Sequence, residues 1–153
     1  EVLTSFDAML GEPVKFDTVF IDAPCSGTGT MRRHPEIPWR LTEKDVTVEL
    51  PKLQLTMLKE AAARVAAGGE LIYATCSVFD EENTQVVDAF LASPEGADFS
   101  LEPLSEAQIL QLPDFEQAKK LVAVRQNDRG LFQSVPVNAD SYDGHFCARL
   151  IHN

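Results

Sequence analysis

Two short apolar runs, each closing on a cysteine, frame this chain. The first is Phe16-Asp17-Thr18-Val19-Phe20-Ile21-Asp22-Ala23-Pro24-Cys25, and the second is Leu71-Ile72-Tyr73-Ala74-Thr75-Cys76. Both are bounded by polar residues or glycine, which predicts buried parallel strands with cores over 18–21 and 70–75. Between them Leu53, Met57, Leu58, Ala61, Ala62 and Val65 recur at helical spacing. Pro51 suits the first turn of that helix, and Gly68-Gly69 reads as its C-terminal stop. Thr42 with Asp45 forms an N-cap pattern ahead of it. After the second run, Asp80 is placed to cap a helix, with Glu81 and Glu82 at its positive end. Val86, Val87, Phe90 and Leu91 form the buried stripe of that helix. A third strand is expected over 99–104 and a short helix after Ser105, while 108–127 carries no clear period. The turn Asp143-Gly144 leads into a last strand over 145–151.

Alternating strands and helices argue an α/β fold. The closing strand turns back as a hairpin-like edge, so the expected sheet is mixed, mostly parallel, with a terminal antiparallel strand. The 153 residues suffice for one domain with a real core, and 44% of them are hydrophobic. No apolar stretch is long enough to span a bilayer, and no basic-then-apolar leader opens the chain. Three cysteines, an odd count without metal-type spacing, predict free thiols in a reducing cytoplasm and no metal site. The opening from Glu1 reads like the middle of a longer chain, and 1–153 is expected to be a single, partial domain lacking an N-terminal portion.

A net charge of −11 argues against strong nonspecific nucleic-acid binding. It leaves room for a local basic patch: Arg32, Arg33, His34, Arg40 and Lys44 fall within thirteen residues, directly after the first cysteine loop. Beside a reactive crevice these are candidate phosphate contacts. Trp39 is read as a packing anchor for the Pro-rich loop, with base stacking as the other use.

In an open α/β sheet, ligands bind in the crevice at the carboxyl ends of the strands. Neighbouring strands lie ~5 Å apart, so Cys25 and Cys76 would face one crevice, with Asp22 beside them. Two thiols and an acid suit attack on a ring that needs activation. Ser26-Gly27-Thr28-Gly29 lacks the Lys-Ser/Thr ending of a P-loop and the spacing of a dinucleotide loop, which excludes both. Cys147 lies inside an apolar strand and is assigned to packing. A cysteine hydrolase would need a histidine on Cys25 or Cys76, and neither His34 nor His145 has a persuasive place for it. A noncatalytic relative that keeps only the fold is disfavoured by the presence of both thiols and the acid.

These residues resemble the RNA (cytosine-5)-methyltransferases of the Sun/Fmu and nucleolar Nop type. The pieces that carry the likeness are Asp22-Ala23-Pro24-Cys25-Ser26-Gly27-Thr28-Gly29, Arg32-Arg33-His34-Pro35, Trp39, Gly68-Gly69, Tyr73-Ala74-Thr75-Cys76-Ser77 and Glu81-Glu82-Asn83. The closing stretch from Asp143 also matches, with His145 where the family usually has Phe. The match is closest to the bacterial branch that methylates small-subunit ribosomal RNA.

The resemblance implies the C-terminal half of a class I methyltransferase Rossmann-like domain. It implies methyl transfer from S-adenosylmethionine to carbon 5 of a cytosine in ribosomal RNA, with transfer RNA as the other candidate. By the family's pattern Cys76 is the nucleophile, Cys25 promotes product release and Asp22 activates the base. Spacing alone does not choose between the cysteines, since DNA cytosine-5 methylases attack through a Pro-Cys cysteine. Asp22, Ala23 and Pro24 would line part of the cofactor site. The Gly-rich loop that holds most of the cofactor is absent from these residues, so the isolated chain is expected to bind it poorly and to be inactive.

Overall fold

The computed structural model describes residues 14–105, 108, 110–111, 113–136 and 142–153. Its five strands are β1 (Phe16–Asp22), β2 (Val65–Thr75), β3 (Phe99–Leu101), β4 (Phe132–Ser134) and β5 (His145–His152). They form one sheet in the order β1-β2-β5-β3, with β4 also paired to β5. Only β1 and β2 are parallel partners; β5 runs against β2, β3 and β4. Four strands therefore point one way and the terminal strand points the other, as the sequence pattern predicts. The last strand lies between β2 and β3, so sequence order and sheet order differ.

Four α-helices are described: α1 (Ile37–Arg40), α2 (Leu50–Ala62), α3 (Thr84–Leu91) and α4 (Phe115–Arg125). Ahead of α2, the Thr42 amide donates to Asp45 Oδ2 (2.8 Å) and the Asp45 amide to Thr42 Oγ1 (3.3 Å). This is the expected reciprocal cap, and a short π-helical segment, Asp45–Glu49, follows it. Leu58 and Ala62 of α2 are buried with Val86, Val87 and Phe90 of α3 against Leu71 and Tyr73 of β2. Leu71 and Tyr73 stand opposite Leu150 and Ala148 of β5, which are also fully buried. The period-2 alternation of β2 and β5 thus places one sheet face under the helices. Each wholly buried Leu or Phe contributes about 1.5–3 kcal/mol.

Three sequence expectations change. The helix ends at Ala62, not at Gly68-Gly69, because β2 already begins at Val65. The glycines instead form an irregularity in the parallel pair, where Phe16↔Val65 is followed by Thr18↔Glu70. Gly68 has φ +76°, and a Cβ on Gly69 would lie 2.8 Å from the Asp17 carbonyl oxygen. Only glycine enters that bulge without strain. Second, β1 is not a buried strand among the described residues. It pairs only with β2, and Phe20 is 62% exposed. Third, Asp80 does not cap α3: Asp80–Glu82 is a separate 3₁₀ turn and the helix starts at Thr84. The helix expected after Ser105 lies partly outside the described residues. Among those residues, no helix is long and apolar enough to cross a membrane.

Candidate active site

The parallel register of β1 and β2 builds the site. Asp22 stands opposite Ala74, and the Ala23 amide donates to the Ala74 carbonyl (2.9 Å). Both chains leave the sheet together, and Cys25 Sγ comes to 3.2 Å from Cys76 Sγ. The two thiols share one half-buried position. The Gly29 amide donates to the Cys76 carbonyl (2.8 Å), and the Gly144 amide donates to the Gly29 carbonyl (2.9 Å). A Cβ on Gly29 would lie 2.3 Å from the Gly144 carbonyl oxygen. Two glycines are needed for these loops to approach so closely.

The thiols are not equivalent. The hydrogen bond between the two sulfurs lowers the Cys76 pKa to about 7. The same bond, together with burial, pushes the Cys25 thiol up. The pair therefore loses its first proton more readily than a lone thiol. The charges of Asp22 and Glu82 both oppose the Cys76 thiolate. Asp22, at the end of β1, is exposed, while Ala23 after it is buried. Cys147 lies in β5 opposite Ala74, where burial pushes its thiol up.

Under the thiols lies a polar network centred on Glu82, which is fully buried. Glu82 Oε2 accepts from the Ser26 amide (2.8 Å) and from Gln54 Nε2 (3.0 Å); Oε1 accepts from Ser77 Oγ (2.7 Å). Thr28 is also buried, and its Oγ1 accepts from the Val78 amide (3.1 Å). Thr28 and Gly29 are therefore enclosed against the second cysteine loop. Helix-dipole compensation is not the role of Glu82, contrary to the sequence reading: it precedes α3 and is enclosed. The signal available in the sequence was Gln54, a polar residue four before Leu58 on the apolar stripe of α2, since a buried amide needs polar partners.

The basic stretch stays at the surface: Arg32, Arg33, His34 and Arg40 are all exposed. Arg33 Nε donates to Asp143 Oδ2 (2.7 Å), and Arg32 lies 3.6 Å from Asp143 Oδ1. His34 Nδ1 is 3.5 Å from Glu36 Oε1. Asp143 thus ties the basic loop to the start of β5, next to the cysteine loops. Beside it a cleft of about 620 Å³ is lined by Arg32, Arg125, Tyr142 and His145, among others. Trp39 is 89% exposed, which overturns its reading as a packing anchor. Pro38 and Arg40 hold it on the one-turn helix α1, where its ring has little to pack against.

The family described as "16S rRNA methyltransferase RsmB/F" matches residues 3–151. The ribosomal RNA small subunit methyltransferase B of an Escherichia coli strain is 36% identical over 137 residues, covering 90% of this chain and 26% of that protein. Its Klebsiella pneumoniae counterpart is 45% identical over 84 residues, covering 55% of this chain and 19% of that one. The chain therefore matches about a fifth to a quarter of the length of these curated relatives. Among solved structures, NSun6 from Pyrococcus horikoshii with SFG is 21% identical with a TM-score of 0.66, covering 95% of this chain and 32% of that one. A methyltransferase homolog protein from Pyrococcus horikoshii is 24% identical with a TM-score of 0.63, covering 95% of this chain and 41% of that one. At these identities the likeness is one of fold.

Proposed function

This chain belongs to the RsmB/F family of 16S rRNA methyltransferases, and from that premise we propose that it methylates carbon 5 of a cytosine in ribosomal RNA through a covalent Cys76 adduct. The observation that carries this reading is the thiol pair, 3.2 Å apart at the ends of β1 and β2, and the lowered pKa of Cys76 supports its role as nucleophile. Carbon 5 of cytosine is a poor nucleophile. Addition of the Cys76 thiolate to carbon 6 pushes electrons onto carbon 5. Asp22, exposed at the end of β1, would accept from the amino group and, as the protonated acid, donate to ring N3 as charge shifts there.

S-adenosylmethionine, when bound, supplies the methyl group that carbon 5 takes; SFG in the NSun6 structure, an analogue of that molecule, supports its use in this fold. Asp22, Ala23 and Pro24 would form the part of the cofactor site nearest the thiols. The residues fit the group in part: Asp22 and Pro24 are exposed beside the first cysteine, whereas Ala23 is buried and its amide is already bound to the Ala74 carbonyl. Release needs transfer of the carbon 5 proton to water and breakage of the carbon 6–sulfur bond, whose electron pair leaves on the Cys76 sulfur. The Cys25 S–H stabilises the departing Cys76 thiolate and restores the pair as found. The sulfur asymmetry favours this assignment over attack by Cys25.

The target base must leave its stack to reach the crevice. Arg32, Arg33, His34 and Arg40 are proposed to hold the flanking phosphates. In the full-length protein with 16S rRNA and cofactor, Cys76→Ala should abolish methylation. Cys25→Ala should accumulate a denaturant-resistant protein–RNA adduct. An adduct in the Cys76 variant instead would reverse the roles, and unchanged methylation in both variants would end the mechanism. Methylation of transfer RNA alone would move the substrate.

A further inference from the structure

We infer that Glu82 is a positioning residue that holds the two thiol-bearing loops in register by tying the residue after each cysteine to one buried carboxylate. The inference rests on the reading of the thiol pair as the reaction centre. Ser26 follows Cys25, and its amide binds Oε2; Ser77 follows Cys76, and its hydroxyl binds Oε1. Each carboxylate oxygen thus serves one loop. The residue before Cys25 is held as well, since Gln54 Nε2 donates both to Glu82 Oε2 and to the Pro24 carbonyl (3.0 Å). The turn that carries Glu82 is fixed to β2 by Tyr73, whose hydroxyl donates to the Glu82 carbonyl (2.6 Å). Next to it, Asn83 Oδ1 accepts from Thr75 Oγ1 (2.6 Å) and Nδ2 donates to the Ser77 carbonyl (3.0 Å). The residues flanking both cysteines are clamped, and the sulfurs are left to contact each other.

Glu82 has no exposed surface, so no substrate reaches it. Nor does its charge activate the nucleophile, because it opposes the Cys76 thiolate. A buried carboxylate with three donors is costly to assemble, and removing it alone takes the acceptor from the Ser26 amide, Gln54 and Ser77. What it supplies is placement: acceptors on two sides of one rigid group, at the spacing that brings the sulfurs together.

The test separates the clamp from the charge. Glu82→Gln keeps the clamp. Its amide oxygen faces the Ser26 amide and Gln54, its NH₂ faces Ser77 Oγ, and the Ser77 proton turns to Thr28 Oγ1, 3.3 Å away. Glu82→Leu removes both ties at similar volume. The readout is the midpoint of the pH dependence of Cys76 alkylation in the full-length protein, followed by peptide mass spectrometry. Cys25, Cys76 and Cys147 fall in separate tryptic peptides. In Glu82→Gln the midpoint should stay at about 7 or fall, since an opposing charge is gone. In Glu82→Leu it should rise toward 9.0, the ordinary thiol value, with circular dichroism retained. Equal shifts in both variants, or an unchanged midpoint in Glu82→Leu, overturn the inference. If Glu82→Leu does not fold, Ser77→Ala cuts one tie only and should raise the midpoint partway; no change there overturns it as well. The assay needs neither RNA nor cofactor. Methylation surviving Cys76→Ala would therefore refute the proposed function while leaving the thiol result standing.

Discussion

Removing the Cys25 sulfur tests the origin of Cys76 reactivity. In Cys25→Ala the hydrogen bond between the sulfurs is lost, and with it the largest cause holding the Cys76 pKa at about 7. At that value roughly half of Cys76 is thiolate at pH 7. At the ordinary thiol value of 9.0, roughly one part in a hundred is. The thiolate population therefore falls about 50-fold. The more basic thiolate is intrinsically more reactive, and a Brønsted slope of ~0.4–0.5 returns roughly six- to tenfold over two pH units. Alkylation of Cys76 at pH 7 should thus slow by roughly five- to eightfold. Above pH 9 the order should reverse, because both forms are ionised and the variant is the stronger nucleophile. The assay is the iodoacetamide rate at the Cys76 peptide across pH. An unchanged profile, or Cys25 labelling faster than Cys76 in the wild-type protein at pH 7, would refute the reasoning.

Three further outcomes are expected. Gly29→Ala drives a methyl group into the Gly144 carbonyl, 2.3 Å away; the loops must part, costing about 1–3 kcal/mol in thermal denaturation, and a melting point equal to wild type would contradict this. Trp39→Ala should leave stability unchanged, because the ring is 89% exposed, yet weaken RNA binding by about 1–3 kcal/mol if one base stacks there. Titration of the full-length protein with RNA should quench Trp39 fluorescence, and no quenching with unaltered affinity would exclude the stacking role. Asp143 is held below the usual carboxylate range first by its hydrogen bond to Arg33. Its tie to the basic loop should persist above the ordinary aspartate pKa and be lost as pH falls through the lower folded value. The Gly144 amide shift in NMR reports this, and a midpoint at or above the ordinary value would be inconsistent with it.

Local chemistry carried much of this protein. Apolar runs ending in Pro-Cys and Thr-Cys located the strands and both thiols, because strand periodicity and turn residues act over a few positions. The same reach explains the cap at Thr42 and Asp45 and the buried stripe of α3. Features set by long-range packing were not legible. Gly68-Gly69 has the composition of a helix stop, yet it forms a bulge, because only the pairing of β2 with Asp17 of β1 requires it. Trp39 in a Pro-rich loop suggested an anchor, and its exposure depends on what the fold places around it. Glu82 read as an acid at the positive end of a helix, and only the convergence of Ser26 and Gln54 from distant elements, with nearby Ser77, makes it a buried hub. The thiol asymmetry belongs to the same class. A sequence can place two cysteines at strand ends, but which sulfur keeps the proton depends on burial and hydrogen bonds that exist only after β1 and β2 pair.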